Sequence, residues 1–110
     1  MDIEIKTWLY DILNAVKEIE LFIKATKDFT SFQKDTKTKR AVERDIEIIG
    51  EAMSRILNKD ESITLSNTRK IVDTRNRIIH GYDTVSDDIL WNVIIQHLPI
   101  LKHEIQELLK

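Results

Sequence analysis

The 110-residue chain has no cysteine, one proline and two glycines. Without cysteine it has neither a disulfide framework nor a thiolate metal site. So few chain breakers imply long helices joined by short connections. Aromatic residues make up only 6% of the chain, so aliphatic side chains must fill most of the core. No apolar run approaches the ~20 residues that span a bilayer as a helix, and no signal-peptide pattern opens the sequence. A cytoplasmic setting is the expectation. Neither sign of charge dominates: 17 Lys and Arg stand against 19 Asp and Glu, a formal net charge of −2. That excludes a global basic field for gripping nucleic acid, so any contact with a polyanion must come from a local patch.

What is present is a globular composition, 42% hydrophobic and 33% charged. The length suits one domain, residues 1–110, with a single core. No repeat, linker or low-complexity tract divides it. Ile5, Leu9, Ile12, Val16, Ile19 and Ile23 recur at steps of three and four and predict a first helix over about 4–26. Thr30-Ser31-Phe32-Gln33 fits a capping box opening a short helical piece, with Phe29 and Phe32 tucked under neighbouring helices. Lys34, Lys37, Lys39 and Arg40 form a basic run, read first as a solvated turn and second as a phosphate contact. Val42, Ile46, Ile49, Met53 and Ile56 predict a helix over about 37–58, followed by a loop over 58–62. Gly50 in its middle costs on the order of 1 kcal/mol relative to alanine, which points to close approach of another element. Glu51 beside it either bonds across that contact or faces water.

Ser66 or Asn67 can cap the next helix, which runs to about His80 with Gly81 as its stop. Tyr82 to Val85 reads as a short connection. Ser86, followed by Asp87 and Asp88, marks the start of the last helical region. Pro99 must bend or restart that region. Ile71-Val72 and Val93-Ile94-Ile95 are β-prone only locally. The fold class is all-α, an up-and-down bundle of about four or five helices. Trp8 and Trp91 belong to the core or an interface. His97 and His103, six residues apart, are poorly spaced for a metal pair on one helix.

One stretch concentrates chemistry: Arg75-Asn76-Arg77-Ile78-Ile79-His80-Gly81-Tyr82. Ile71, Arg75, Ile78 and Tyr82 share one helical face, so Arg75 interrupts an apolar stripe. A guanidinium there needs an anion, a polar cleft or another subunit. His80, five residues on, lies well around the helix from Arg75. It approaches Arg75 only if the helix ends or bends near Gly81 or the arginine reaches across. RNA cleavage without a metal needs a base for the 2′-hydroxyl, an acid for the leaving 5′-oxygen and positive charge at the phosphate. Histidine is the side-chain type that titrates near neutral pH, and arginine presents a planar fork to two phosphate oxygens. Asn76 can orient His80 or bind a sugar hydroxyl, and Tyr82 can stack on a base. One histidine per chain is half of an acid–base pair; two copies across a two-fold axis supply both. The plainer reading makes Arg75 an ion-pair partner of Asp73 or Glu51, His80 a helix-end residue and Tyr82 a half-buried aromatic.

The pattern Arg75-x-x-x-x-His80-x-Tyr82, with Asn76 straight after the arginine, resembles the signature of HepT-like proteins in the all-helical HEPN superfamily. Ala41 to Asp45 and Ile48-Ile49-Gly50-Glu51-Ala52 resemble the second long helix of that family. Trp91 with Leu98-Pro99-x-Leu101 resembles its C-terminal helix. The resemblance implies a dimeric, metal-independent endoribonuclease whose arginines and histidines line a cleft shared by two protomers. It implies a toxin paired with an MNT-type nucleotidyltransferase antitoxin that adenylylates the motif tyrosine. On that basis Arg75 and His80 are catalytic, Asn76 and Arg77 supporting and Tyr82 the modification site, with no metal or cofactor. A different class of function is a non-catalytic module presenting nucleotide or substrate to a partner nucleotidyltransferase. A third is a purely structural helical adaptor.

Overall fold

Four of the helix starts are set by side chains that accept the unpaired N–H groups of a first turn. The computed structural model describes residues 1–26, 28–81 and 85–110. The carboxylate of Asp2 accepts from the N–H groups of Glu4 and Ile5 at 2.8 and 3.1 Å and opens α1, Ile3–Phe22. A 3-10 turn, Ile23–Ala25, ends that rod close to the predicted boundary. The N-cap of the short helix α2, Phe29–Lys34, lies two residues before the predicted Thr30 cap. Asp28 takes that role, because its carboxylate reaches the Ser31 N–H at 2.8 Å. Asp35 opens α3, Thr36–Lys59, accepting from the Thr38 N–H at 3.0 Å and its hydroxyl at 2.7 Å. α3 runs to Lys59, so the loop predicted from residue 58 begins at Asp60.

α4, Thr68–His80, carries the motif. Asn67 occupies its N-cap position with φ 63°, but its side chain makes no capping bond. Ser66 is engaged elsewhere: its N–H and hydroxyl donate to the Glu104 carboxylate at 2.9 and 2.6 Å. Gly81 ends α4 at φ 66°, a left-handed conformation that favours glycine. Ser86 opens α5, Asp87–Asn92, as predicted, with its side chain accepting from the Ile89 N–H. A wide π turn, Val93–His97, then leads into α6, Leu98–Leu108. The prolyl nitrogen of Pro99 has no hydrogen to return to the carbonyl four residues back, so a regular helix cannot pass through it. The chain widens the turn just before it, and the Leu98 N–H bonds back to the Val93 carbonyl.

Counting α5, the π turn and α6 as one interrupted rod, the described residues form five helical rods and no strand. This is the predicted all-α bundle. The most extensive packing is α1 on α3, followed by α3 on α4. Leu9, Ile12, Ile46, Ile49, Ile71 and Leu101 are fully buried within one continuous apolar cluster. Each such side chain stabilises the fold by roughly 1.5–3 kcal/mol relative to exposure. Phe32 is buried and stacks obliquely on Trp91 at 5.1 Å, with Phe29 beside them at 6.4 Å from Trp91, fastening α2 to α5. The basic run is partly neutralised within the protein, since Lys39 pairs with Asp87 at 3.3 Å and Arg40 with Glu43 at 2.6 Å.

Candidate active site

The apolar face of α4 turns onto α3, and Arg75 is the charged interruption in it. It is accommodated because residue 50 has no side chain. A Cβ built on Gly50 would lie 2.5 Å from the Arg75 Cβ and 2.8 Å from its Cγ. The close approach inferred from Gly50 is therefore real, and the root of the Arg75 side chain makes it. Beyond that crossing the guanidinium is held at two points. One terminal nitrogen donates to Glu51 Oε2 at 2.5 Å and the other to Asn76 Oδ1 at 2.8 Å. Glu51 is further held by the Nε of Arg55, which donates to its second oxygen at 3.2 Å. Glu51, not Asp73, is thus the anionic partner of Arg75. Asn76 turns its amide oxygen to the arginine, so it orients Arg75. The Arg75 Nε is buried and has no hydrogen-bond partner among the described residues.

These groups line an open cleft of about 350 Å³ between α1, α3 and α4, floored by Trp8, Ile48 and Ala52. Its charges balance: Arg44, Arg55 and Arg75 face Asp11, Glu47 and Glu51. The Lys59 ammonium sits 5.9 Å above the Trp8 ring and pairs with Asp2 and Glu4, bracing the outer end of α1 against α3. Ile79, one turn beyond Arg75, is 44% exposed at the mouth of this cleft.

His80 is exposed at the last position of α4. The helix stays regular from Arg75 to His80, so five residues place the imidazole about 140° around the axis from the arginine. It lies instead above Arg69, Asp73 and Arg77, which recur at helical spacing on the same ridge. One chain therefore directs Arg75 into the α3 cleft and His80 to another side of α4. Tyr82 lies outside the described residues.

The model of the family described as "Ribonuclease HepT-like" matches residues 12–108. The chain belongs to the HepT-like ribonuclease family. Among curated proteins it is 35% identical to "Probable ribonuclease HepT" of Thermococcus cleftensis, over 96% of both chains. It is 34% identical to "Putative RNase MJ0127" of Methanocaldococcus jannaschii, over 97% of this chain and 88% of that one. A second protein of that organism, "Putative RNase MJ1380", is 33% identical over 94% of each. No solved structure matches the chain. In this HepT-like chain the Gly50–Glu51 pair and the Arg75–Asn76 pair, separated in sequence, form one unit.

Two polar features escape a motif search. Arg55 is the second cation on Glu51; its only signal in the sequence is the i, i+4 spacing. Asp45 falls inside the apolar stripe of α3 and is 3% exposed. Burial, and then the Glu18 carboxylate facing it from α1, push its carboxyl up to about 7, against a smaller opposing pull from Arg44. Asp45 Oδ2 has no donor aimed at it. A proton on Asp45 resolves both facts, because the acid can then donate to Glu18.

Proposed function

We propose that this HepT-like chain is the toxin of a toxin–antitoxin pair, a cytoplasmic endoribonuclease formed by a single domain that works as a homodimer or higher oligomer. The observation that supports it best is the fixed Arg75. A guanidinium clamped by Glu51 and Asn76 at the edge of an open cleft is positioned for a phosphate and needs little reorganisation to meet it. One protomer turns Arg75 and His80 to different faces of α4, which counts against a site within a single chain, so this reading stands only if a second protomer brings the two groups together. Two protomers meeting across a two-fold axis bring together a guanidinium and an imidazole that one protomer holds on different faces.

In this reading one His80 takes the proton from the ribose 2′-hydroxyl. The oxygen attacks the phosphorus, and the P–O5′ bond breaks to leave a 2′,3′-cyclic phosphate. The His80 of the other protomer gives a proton to the departing 5′-oxygen. Arg75 stabilises the charge that accumulates on the phosphate, and Asn76 keeps its fork oriented. Arg77 is a supporting cation. No resident metal or cofactor enters the scheme. An MNT-type nucleotidyltransferase neutralises the toxin by adenylylating Tyr82, which places an extra phosphate and a nucleoside near the cationic motif.

The purified protein should cut single-stranded RNA in excess EDTA, and His80→Ala should abolish cleavage. Activity that requires a divalent ion, or that persists in the variant, contradicts the scheme. Intact mass after co-expression with the nucleotidyltransferase should rise in multiples of AMP. That gain should disappear in Tyr82→Phe.

A further inference from the structure

The cleft that holds Arg75 carries balanced charge, so it explains how a phosphate is activated but not how a polyanion is retained by a protein with net charge −2. A second concavity lies on the other side of α4, between that helix and α5. It encloses about 630 Å³ and is lined by Arg69, Lys70, Asp73, Thr74 and Arg77, with Ile89 opposite. Among the described residues three cations here face one carboxylate. None of the three forms an ion pair among the described residues, whereas Lys39, Arg40, Arg44, Arg55, Lys59 and Arg75 are all paired.

The ridge of α4 that forms the wall of this groove leads to His80. Arg69, Asp73, Arg77 and His80 follow one another at steps of four, four and three, along about 16 Å of helix axis. At the ~3.4 Å spacing of stacked nucleotides, that length accommodates a run of several phosphates. We infer that the α4–α5 groove is a binding track for the sugar–phosphate backbone of single-stranded RNA, with Arg69 and Lys70 as its anchoring cations and His80 at its exit. This inference rests on the ribonuclease reading for its choice of polyanion. It adds a substrate-holding surface separate from the Arg75 cleft. RNA crosses α4 from a cationic track on one side to the reacting groups at the helix end. The contacts are to phosphate, so the track confers affinity with little base preference.

The test pairs Arg69→Ala/Lys70→Ala with Lys17→Ala/Lys24→Ala, a control that removes two exposed cations of the α1 region. The probe is a short fluorescein-labelled single-stranded RNA with 2′-O-methyl riboses, which cannot form the cyclic product. Circular dichroism and melting establish that both variants are folded. Anisotropy titrations at several salt concentrations should show the α4 variant binding about tenfold more weakly, its log–log salt slope shallower by about 0.7 per cation removed. The control should bind like the wild type. With cleavable RNA, the α4 variant should raise KM and leave kcat near its wild-type value. Unchanged affinity and salt slope in the α4 variant overturn the track, even if cleavage is normal. So does a variant that keeps its RNA affinity but loses an acidic protein partner. Failure of the wild type to cleave, with RNA binding still lost in the α4 variant, removes the nuclease reading and leaves the track standing.

Discussion

Arg75 shows how much of a site can be decided by the neighbours of one residue. Its two terminal nitrogens are occupied by different acceptors, Glu51 and Asn76, in directions that a planar fork can satisfy together. A lysine has a point charge and cannot span both. Arg75→Lys should therefore fold but lose about 10²–10³-fold in kcat in an RNA cleavage assay, the range found when one transition-state donor is removed. Asp45 gives a prediction of another kind. Its carboxyl is raised from 3.8 to about 7 by burial and by Glu18, so the folded state holds a proton that the unfolded chain releases. Stability from this group is full below about pH 4, falls as pH rises towards 7 and then levels off. Asp45→Asn keeps a neutral donor to Glu18 and should flatten that decline. At pH 8 it should gain on the order of 4 kcal/mol, read from melting curves, and the gain should shrink with falling pH and vanish below about pH 4. The capping carboxylates Asp28 and Asp35 act in the opposite sense. Backbone N–H groups hold them below 3.8, so their contribution is lost as pH falls into the acid range.

At the scale of elements, the crossing of α3 and α4 is the joint on which the site depends. Its closeness was visible in the sequence as a glycine that violates helix propensity. What touches it was not visible, because any residue on the facing helix could have filled that place. Gly50→Ala tests the joint directly. The new methyl would meet Arg75 at its Cβ, close to the backbone, so α4 itself must shift. Overpacking costs of about 1–3 kcal/mol outweigh the ~1 kcal/mol gained in helix propensity. The expected result is a lower melting temperature together with reduced RNA cleavage, because the shift moves Arg75 away from Glu51. Gly81→Ala probes the other end of α4. Among the described residues nothing lies within 4 Å of an added Cβ, but the position keeps φ 66°, so about 1 kcal/mol of destabilisation should appear from backbone strain. The last rod is a case where sequence gave the place and physics the form. Pro99 marked a break, and the protein meets it with a π turn rather than a sharp kink.

For the whole molecule, the distribution of charge matters more than its total. A net charge of −2 hides one balanced cleft and one cationic groove on opposite sides of α4. If catalysis needs an arginine and a histidine from different protomers, specific activity must depend on assembly. Diluting the enzyme through its dimer dissociation range, followed by sedimentation, should lower activity per chain in step with the dimer fraction. Activity that stays constant through dissociation would place the whole reaction in one protomer.

The sequence by itself determined the all-α class, most of the helical boundaries to within two residues, the stop at Gly81 and the identity of the motif residues. These are local properties: apolar periodicity, caps and a left-handed glycine act over one or two turns of chain. Asp28 displaced the predicted Thr30 because both are good caps and only the surrounding chain path selects between them. The tertiary structure alone decided that Asn76 serves Arg75, that Glu51 and not Asp73 is its counter-ion, that Asp45 is buried facing Glu18, and that cations without an ion pair among the described residues line a groove beside α4. Each of those pairs groups from different helices or chooses among equivalent neighbours. The choice depends on where two rods cross, which packing of the common core fixes and which no spacing along the chain encodes.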